Sequence, residues 1–408
     1  MKCRHCRAEL TLPLIDLGCA PPSNAYLSRS ALQAPEKWFP LRVLVCATCW
    51  LVQTEDYTSA DELFDSEYAY FSSTSTSWLR HAEDYTADMT ERFALDCNSH
   101  VIEVAANDGY LLQYFQRAGV PCLGIEPTAS TAATAREKGI EIREVFFGVN
   151  VATALASDGR HADLTAANNV LAHVPDINDF VAGFTRILKP QGVSTFEFPH
   201  LLKMIAEVQF DTIYHEHFSY LSLTAVNRIF ECNGLAIFDV EEISTHGGSL
   251  RVFAQRRGIG KRPISDRFLA LLAREKELGV ATPDFYRDFQ ARANKIKDDF
   301  VAFFIEAKRD GKSVVAYGAA AKGNTLINYA GIRPDLLPWV VDKSPSKAGK
   351  FLPGSRIPVV EEERIKAEKP AYIVILPWNL KTEIMAQLSY ARKWGARFVT
   401  AVPSLSVV

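Results

Sequence analysis

The chain has 408 residues, 48% hydrophobic and 23% charged, and single cores stop growing near ~250–300 residues, so two or three cores are expected. Its formal charge of −3 sets up no basic field for nucleic acid or an anionic membrane, and an anionic ligand needs a local basic site. No apolar run follows a basic start and no stretch of ~20 apolar residues occurs, which argues against a signal peptide and a membrane span and predicts a cytoplasmic protein.

Two Cys-x-x-Cys pairs, Cys3/Cys6 and Cys46/Cys49, stand in the N-terminal segment. Each pair sets two thiolates on a tight turn, and together they supply the tetrahedral sulfur shell that structural zinc prefers. Four thiolates leave no open position for substrate, so this metal is structural rather than catalytic. A redox disulfide motif would be one pair beside a βαβ unit, not two pairs ahead of one. The short β-like runs at 12–17 and 41–45 make too small a core to stand without the metal. Cys19, Cys97, Cys122 and Cys232 are scattered through apolar or mixed segments, as reduced thiols rather than a secreted disulfide framework.

From about 98 onward strands and helices alternate: a strand at 101–105, a turn at Asn107-Asp-Gly109, a helix over 110–118 and a strand at 122–126. Further strands are predicted at 163–167 and 193–198, with a helix over 177–188 and a Lys-Pro-Gln-Gly stop at 189–192. Beyond about 255, Thr282-Pro-Asp offers a cap and a first-turn proline, and Phe285, Phe289, Ile296, Phe300 and Phe304 recur on one helix face as core. Alternation then resumes with strands at 313–317, 339–342, 372–376 and 397–402, a Gly-Ala-Ala-Ala-Lys-Gly turn at 318–323, and helices from 324 and up to 394. No fixed-period repeat or low-complexity linker interrupts this order. The pattern predicts an α/β protein in three parts: a zinc module over 1–60, a parallel α/β domain over 61–255 and a second α/β layer structure over 256–408.

In an open α/β sheet the ligand sits outside the carboxyl ends of the strands, and an acidic residue ending the second strand binds ribose hydroxyls. Glu126 holds that place. The first turn, from Glu103 to Gly109, keeps one glycine of the dinucleotide fingerprint and adds Asp108, whose carboxylate would repel a pyrophosphate on the helix N-terminus. A cationic cofactor such as S-adenosylmethionine suits these acidic and amide groups; the competing reading is a tight turn with Asp108 as a helix cap. At 318–323 small residues precede Lys322 at a helix start, where backbone N–H groups and the positive helix end suit a diphosphate. Close helix–strand packing is the alternative there. Tyr68, Tyr70, Ser72 and Ser73 form an aromatic-hydroxyl stretch that either reaches the ligands or packs between domains.

Cys3/Cys6 with Cys46/Cys49, Asn107-Asp-Gly-Tyr-Leu-Leu112, Gly124-Ile-Glu-Pro127, Tyr214-His-Glu-His217, His246-Gly-Gly-Ser-Leu-Arg251, Ala316-Tyr-Gly-Ala-Ala-Ala-Lys-Gly-Asn324 and Leu376-Pro-Trp-Asn379 occur in that order. Through this ordered set, which spans nearly the whole chain, the protein resembles the S-adenosylmethionine-dependent sugar carbon-3 methyltransferases of deoxysugar biosynthesis. The resemblance implies a zinc domain, a class I methyltransferase domain, and a C-terminal Rossmann-like domain that helps hold a nucleotide-linked 4-keto-deoxysugar. It implies methyl transfer to a carbon flanking the ketone, with His217 as base, Tyr214 near the ketone, Glu216 as a pocket ligand, His173 as a further imidazole and His215 structural. The candidate cofactor residues are Glu103, Asn107, Asp108, Gly109, Tyr110, Glu126 and Asn168; for the sugar nucleotide they are Lys322, Gly323 and Asn324 with Tyr68 and Tyr70. Ala105-Ala106 in the cofactor turn is a small-residue variation. Neither nucleic acid nor membrane is an expected partner, and a monomer is the working expectation.

Carbon methylation beside a ketone needs a base for the α-proton, a donor to the carbonyl oxygen and a methyl group held in line. Histidine suits the first role near neutral pH, and a tyrosine hydroxyl or second imidazole the second. A helical 214–217 would put Tyr214 and His217 on one face, whereas an extended one would put His215 beside His217; the sequence leaves both open. In a strand, His215 and His217 could also chelate a metal. Two rival activities stand beside methyl transfer: a nicotinamide-dependent nucleotide-sugar oxidoreductase, and a non-catalytic zinc or nucleotide-sugar binding module.

Overall fold

The computed structural model describes residues 1–57 and 71–408, and Tyr68 and Tyr70 lie outside the described residues. Near the N-terminus β1 (Leu12–Ala20), β2 (Phe39–Val45) and β3 (Val52–Thr54) pair antiparallel in that order. Leu14, Ile15 and Val43 of this small sheet share a core with Phe289 and Phe300, whereas Leu10, Cys46 and Leu51 belong to the core that holds Phe180 and Phe230. The module is thus buried from two sides by the rest of the chain.

Helix α1 (Thr76–Phe93) starts where the Ser75 hydroxyl accepts from the Trp78 N–H at 3.3 Å. It leads into β4 (Val101–Val104), α2 (Leu112–Arg117), β5 (Cys122–Ile125), α3 (Ala129–Glu137), β6 (Ile142–Arg143), α4 (Val149–Ser157), β7 (Ala162–Asn168), α5 (Ile177–Ile187) and β8 (Leu188–Pro199). After α6 (Leu201–Ala206), β9 (Ser219–Tyr220) leaves this sheet, and α7 (Leu223–Cys232), β10 (Leu235–Ile243) and β11 (Ser249–Arg256) complete it. The order is β10-β11-β8-β7-β4-β5-β6, parallel from β8 to β6, with β11 antiparallel to both neighbours. All four residues of β4 are buried, as a parallel strand covered on both faces requires. The chain winds outward from β4 and returns to β7 on its other side, so the crevice between these two strands is the switch point where a ligand sits. The predicted stop at 189–192 lies inside β8. Ala162 pairs with Leu188 and Leu164 with Val193, so residues 189–192 bulge from the ladder instead of ending it.

Strand β9 pairs with β3, Val52 opposite Tyr220 and Gln53 opposite Ser219. The zinc module's sheet therefore ends on a strand that begins two residues after His217.

Beyond α8 (Asp266–Glu277), the Thr282-Pro-Asp cap opens only a 3-10 turn, Pro283–Tyr286, and α9 (Phe289–Arg309) follows it. The chain breaks there because Tyr286 turns inward, its hydroxyl donating to the Val280 carbonyl at 2.8 Å and its ring stacked on Trp50 at 6.2 Å. Phe289, Ile296, Phe300 and Phe304 are buried as the spacing predicts, while Phe285 is only partly buried. The third sheet contains β12 (Val314–Tyr317), β13 (Val340–Val341), β14 (Val359–Val360), β15 (Tyr372–Ile375), β16 (Arg397–Thr400) and β17 (Ser406–Val407). Its order is β14-β13-β12-β15-β16-β17, parallel except at β17. Helix α10 (Ala321–Ala330) follows β12, so the second switch point lies between β12 and β15. Helix α11 (Glu363–Glu368) precedes β15, and the helix expected up to 394 is α12 (Lys381–Gln387), followed by a 3-10 stretch, Ser389–Trp394. Among the described residues no helix is long and apolar enough to cross a membrane.

Candidate functional site

The sulfur atoms of Cys3, Cys6, Cys46 and Cys49 all lie within 4.8 Å of one another. Both knuckles use the same turn: the Cys3 and Cys46 carbonyls accept from the Arg7 and Trp50 N–H groups at 3.1 and 2.8 Å, and Arg7 and Trp50 take φ of 64° and 65°. That left-handed residue just past each pair closes the turn on which both thiols sit. Gln53 Nε2 points at Cys3 Sγ from 3.3 Å, an outer contact that suits a thiolate. Four converging sulfurs with such a donor fit a zinc ion in a closed shell. The His215–His217 pair gains no third metal ligand among the described residues, and the two rings part: the His215 Nε2–H donates to the Pro40 carbonyl at 3.2 Å and the ring packs edge-on to Phe39.

Strand β4 ends in a turn where Ala105, Asn107 and Gly109 have φ of 61°, 49° and 74°. Asparagine and glycine adopt this conformation readily, whereas at Ala105 it costs roughly 1–2 kcal/mol. Glu126 holds the turn: Oε2 accepts from the Asn107 N–H and Oε1 from the Thr128 N–H, both at 2.9 Å. From the other side the Ser72 N–H donates to Asn107 Oδ1 at 2.9 Å and the Ser73 N–H to Asp108 Oδ2 at 3.2 Å. Ser72 and Ser73 therefore dock on the cofactor turn itself. Gly109 is there for packing as well as for its φ, since a Cβ would stand 2.4 Å from Ile140. Tyr110 is buried and stacks on Trp78 at 5.8 Å.

Three acceptor sites are left over at this edge. Glu103 is fully buried with neither oxygen well partnered, and Asp108 Oδ1 and Asn168 Oδ1, the latter at the end of β7, are buried without a donor. Burial drives the Glu103 pKa well above its ordinary value, against the opposing pull of the Tyr110 hydroxyl. Unsatisfied buried acceptors are costly until a donor or a cation reaches them. The site fits S-adenosylmethionine, with its ammonium and sulfonium.

Residues 214–217 are neither helix nor strand. After a 3-10 turn, Phe210–Thr212, the His217 N–H donates to the Tyr214 carbonyl at 2.9 Å, closing a β-turn. This brings the Tyr214 and His217 rings to 3.9 Å, with His173, from the turn Leu171–His173 after β7, edge-on to His217 at 4.6 Å. His217 Nδ1 lies 2.8 Å from the Thr212 carbonyl, which only accepts, so Nδ1 carries the proton and Nε2 the lone pair. Burial holds His217 well below the ordinary imidazole range, and the Lys322 ammonium, with His173 and His246 when they are protonated, acts in the same direction. His173 and His246 are each pushed down to about 4, chiefly by burial. Glu216 is buried, its pKa raised by that burial, with Oε1 accepting from Asn24 Nδ2 at 3.1 Å. The zinc module fixes this loop's backbone: Thr54 Oγ1 donates to the His217 carbonyl at 2.6 Å, and Arg4, between Cys3 and Cys6, donates to the Phe218 carbonyl at 3.3 Å.

The third sheet reaches the same loop. Thr325 Oγ1 on α10 donates to the Ile213 carbonyl at 2.8 Å, and Asn324 Nδ2 to the Ser23 carbonyl at 2.7 Å. Gly318 and Gly323 permit close packing, since an added Cβ would stand 2.4 Å from Pro377 and 2.9 Å from Leu376. Lys322 Nζ donates to Asn379 Oδ1 at 2.8 Å and lies 4.7 Å from the centre of the Trp378 ring. Trp378 Nε1 donates at 2.7 Å to Oδ2 of Asp211, a fully buried carboxylate whose pKa burial pushes up to about 6. The Trp378 ring also backs the His246 loop, where a Cβ on Gly247 would come within 2.5 Å of it. His246 and Trp378 stand inside recognisable strings without a readable role, and Asp211 has no spacing signal at all; only the fold brings them to the site.

Three family profiles match the chain: a zinc binding domain over residues 3–64, a methyltransferase domain over 78–240, and a C-methyltransferase C-terminal domain over 244–403. The C-methyltransferase NovU of Streptomyces niveus is 32% identical over 407 residues, 100% of this chain and 96% of that protein. The chain belongs to the C-methyltransferase family. This C-methyltransferase uses S-adenosylmethionine and carries a zinc-binding N-terminal module, so hydride transfer and binding without catalysis are set aside as its activity. The ubiquinone biosynthesis O-methyltransferase of Bartonella tribocorum is 25% identical over 97 residues, 24% of this chain and 39% of that protein. Among solved structures, the PH0226 protein of Pyrococcus horikoshii aligns with a TM-score of 0.39 and 14% identity over 50% of this chain and 100% of that one. Magnesium protoporphyrin IX methyltransferase of Synechocystis, with bound S-adenosylmethionine, aligns with a TM-score of 0.34 and 15% identity over 44% and 79% respectively.

Proposed function

We propose that this C-methyltransferase methylates carbon 3 of a nucleotide-linked 4-keto-deoxysugar through an enolate formed when His217 removes the α-proton. The neutral His217 carries this reading: buried, proton fixed on Nδ1 by Thr212, lone pair on Nε2, in contact with the Tyr214 and His173 rings. A base kept neutral by burial needs no deprotonation before it acts at pH 7. Tyr214 is assigned to the ketone oxygen, where its hydroxyl donates to the developing charge. Glu216 and His173 complete the wall of that pocket.

S-adenosylmethionine supplies an electrophilic methyl group when bound. Glu103, Asp108 and Asn168 offer the acceptors for its positive centres, while Asn107, Gly109, Tyr110 and Glu126 shape and bury the turn beneath it. The nucleotide end of the substrate is assigned to the carboxyl edge of the third sheet, beside Lys322, Gly323 and Asn324. Such a substrate belongs to cytoplasmic deoxysugar biosynthesis. The test is product analysis with methyl-13C-labelled S-adenosylmethionine and nucleoside diphosphate 4-keto-6-deoxyhexoses. A 13C methyl bonded to sugar carbon 3 is the expected product; a methyl on oxygen or on another carbon overturns the reading.

A further inference from the structure

We propose that Lys322 is a catalytic cation for the proton-abstraction step and that Asp211 is its positioning residue, so that the C-terminal sheet takes part in the reaction as well as holding the nucleotide. The inference rests on the carbanion chemistry of the preceding section.

Four segments of the chain meet here: Phe210–Thr212 just ahead of the catalytic turn, the His246–Gly247 loop, the first turn of α10, and Trp378–Asn379 beyond β15. Trp378 is the wedge between them. One part of its ring lies against Gly247, the Lys322 ammonium lies over the ring, and its Nε1–H donates to Asp211. The ammonium thus has a neutral amide oxygen and an aromatic face as fixed partners, neither of which cancels its charge. Among the described residues no carboxylate forms an ion pair with it within 4.0 Å. The facing carboxylate is Asp211, which engages Oδ2 with Trp378 and leaves Oδ1 buried without a donor. A buried cation without a direct ion pair is costly unless a ligand brings further negative charge to it.

A short chain of contacts places Lys322 beside the base: the Trp378 ring beneath its ammonium donates to Asp211, and the carbonyl of the next residue, Thr212, holds His217 Nδ1. In keeping with that geometry its ammonium lowers the proton affinity of both His217 and His246, while Asp211 offsets the burial that lowers its own. In the step, the substrate α-C–H bond breaks and its proton goes to His217 Nε2. The bonding pair becomes the carbon–carbon π bond, and the carbonyl π pair moves onto oxygen. One positive and one negative charge appear together. Lys322 stabilises the oxygen, and Asp211 tempers the repulsion between the ammonium and the new imidazolium.

The test is deuterium wash-in at the substrate α-carbon in D2O, run without S-adenosylmethionine on thymidine, uridine and guanosine diphosphate 4-keto-6-deoxyhexoses. Lys322→Met is expected to slow exchange about 100-fold with substrate KM within about 3-fold, the loss typical of one oxyanion partner, and Lys322→Arg to recover to within about 10-fold of wild type. Asp211→Asn removes the charge that holds the Lys322 pKa up, so the alkaline limb of the exchange profile should move to lower pH. The other titrating groups that face Lys322, His217 and His246, are already neutral there and leave that limb unmoved. Melting temperature and zinc content show that each variant is folded, and Lys322→Arg carries the test if Lys322→Met does not fold. Exchange by Lys322→Met at the wild-type rate, or a 100-fold rise in KM at unchanged kcat, overturns the inference; the second result would assign Lys322 to the diphosphate. A wild-type enzyme that exchanges with none of the three substrates removes the carbanion reading and the inference with it.

Discussion

The two parallel sheets end in turns of opposite character. At the first switch point Glu103, Asp108 and Asn168 each keep a buried oxygen short of donors, and at the second Lys322 presents a cation that makes no direct ion pair among the described residues. Each imbalance is tolerable only where a ligand of opposite demand completes it. The difference teaches why two similar α/β layers can serve one reaction: the acidic edge suits the cationic methyl donor, the basic edge an anionic or oxyanionic group. The loop carrying Tyr214 and His217 lies between them and belongs to neither. Its backbone is tied to β3 and Arg4 of the zinc module, so the module sets where the two edges meet.

The largest effect should come from breaking that tie. Cys46→Ser is expected to abolish zinc binding, read by metal analysis, and to lower turnover about 1,000-fold or more because structural zinc energy is folding energy in small modules. Cofactor affinity should stay within a few-fold, since the turn at 105–109 is held by Glu126, Ser72 and Ser73. A zinc-free variant with normal turnover would show that the loop is positioned by the two sheets alone. Next in size is His217→Asn, expected to cost about 1,000-fold in turnover, within the range for losing a general base, with S-adenosylmethionine binding unchanged by calorimetry. Near-normal turnover would remove His217 as base and leave the contrast between the edges without a shared centre.

Much of this contrast is legible in the sequence, and the rest fails for local reasons. The βα alternation, the two cysteine knuckles and the acidic turn at 103–109 are short-range patterns, and the strands appear where hydrophobic runs place them. The turn at 214–217 was open between helix and strand because Tyr-His-Glu-His has no apolar period; the Thr212 carbonyl and Thr54 hydroxyl that shape it come from the fold. The break before α9 is set by Tyr286 turning towards Trp50, a contact between residues more than 200 positions apart. Asp211 is invisible because one carboxylate between Phe210 and Thr212 resembles any surface aspartate until Trp378 bonds to it.

A third prediction concerns pH. His173 has a folded pKa near 4, below its unfolded value of about 6.5, so the folded state binds fewer protons between these limits. Its contribution is therefore present above pH 6.5 and lost as pH falls towards 4, by roughly 3 kcal/mol at ~1.4 kcal/mol per tenfold change in proton affinity. Asp211, raised to about 6, acts in the opposite sense, favouring the fold at low pH and losing that advantage as pH rises through 6. Chemical denaturation at pH 7 and pH 4.5 should find His173→Gln less acid-sensitive than wild type by most of that amount. Equal acid sensitivity would mean that the imidazole is solvated and the pocket wetter than its packing implies.

The smallest effect tests the acidic edge alone. Glu103 is fully buried and its pKa stands well above the ordinary carboxylate value, chiefly through burial. Without ligand it therefore holds its proton to higher pH than an ordinary carboxylate, and a cationic cofactor should favour loss of that proton. Titration calorimetry in buffers of different ionisation enthalpy should then show proton release on S-adenosylmethionine binding, with affinity rising as pH rises. Glu103→Gln mimics the protonated acid, so it should leave the melting temperature nearly unchanged, eliminate the proton release and weaken binding about 10-fold, equivalent to one pKa unit of differential interaction. Glutamine binding as tightly as glutamate would mean that charge at this edge does not select the cofactor. The two sheets would then differ in shape and packing, and the opposition between an acidic and a basic switch point would rest on Lys322 alone.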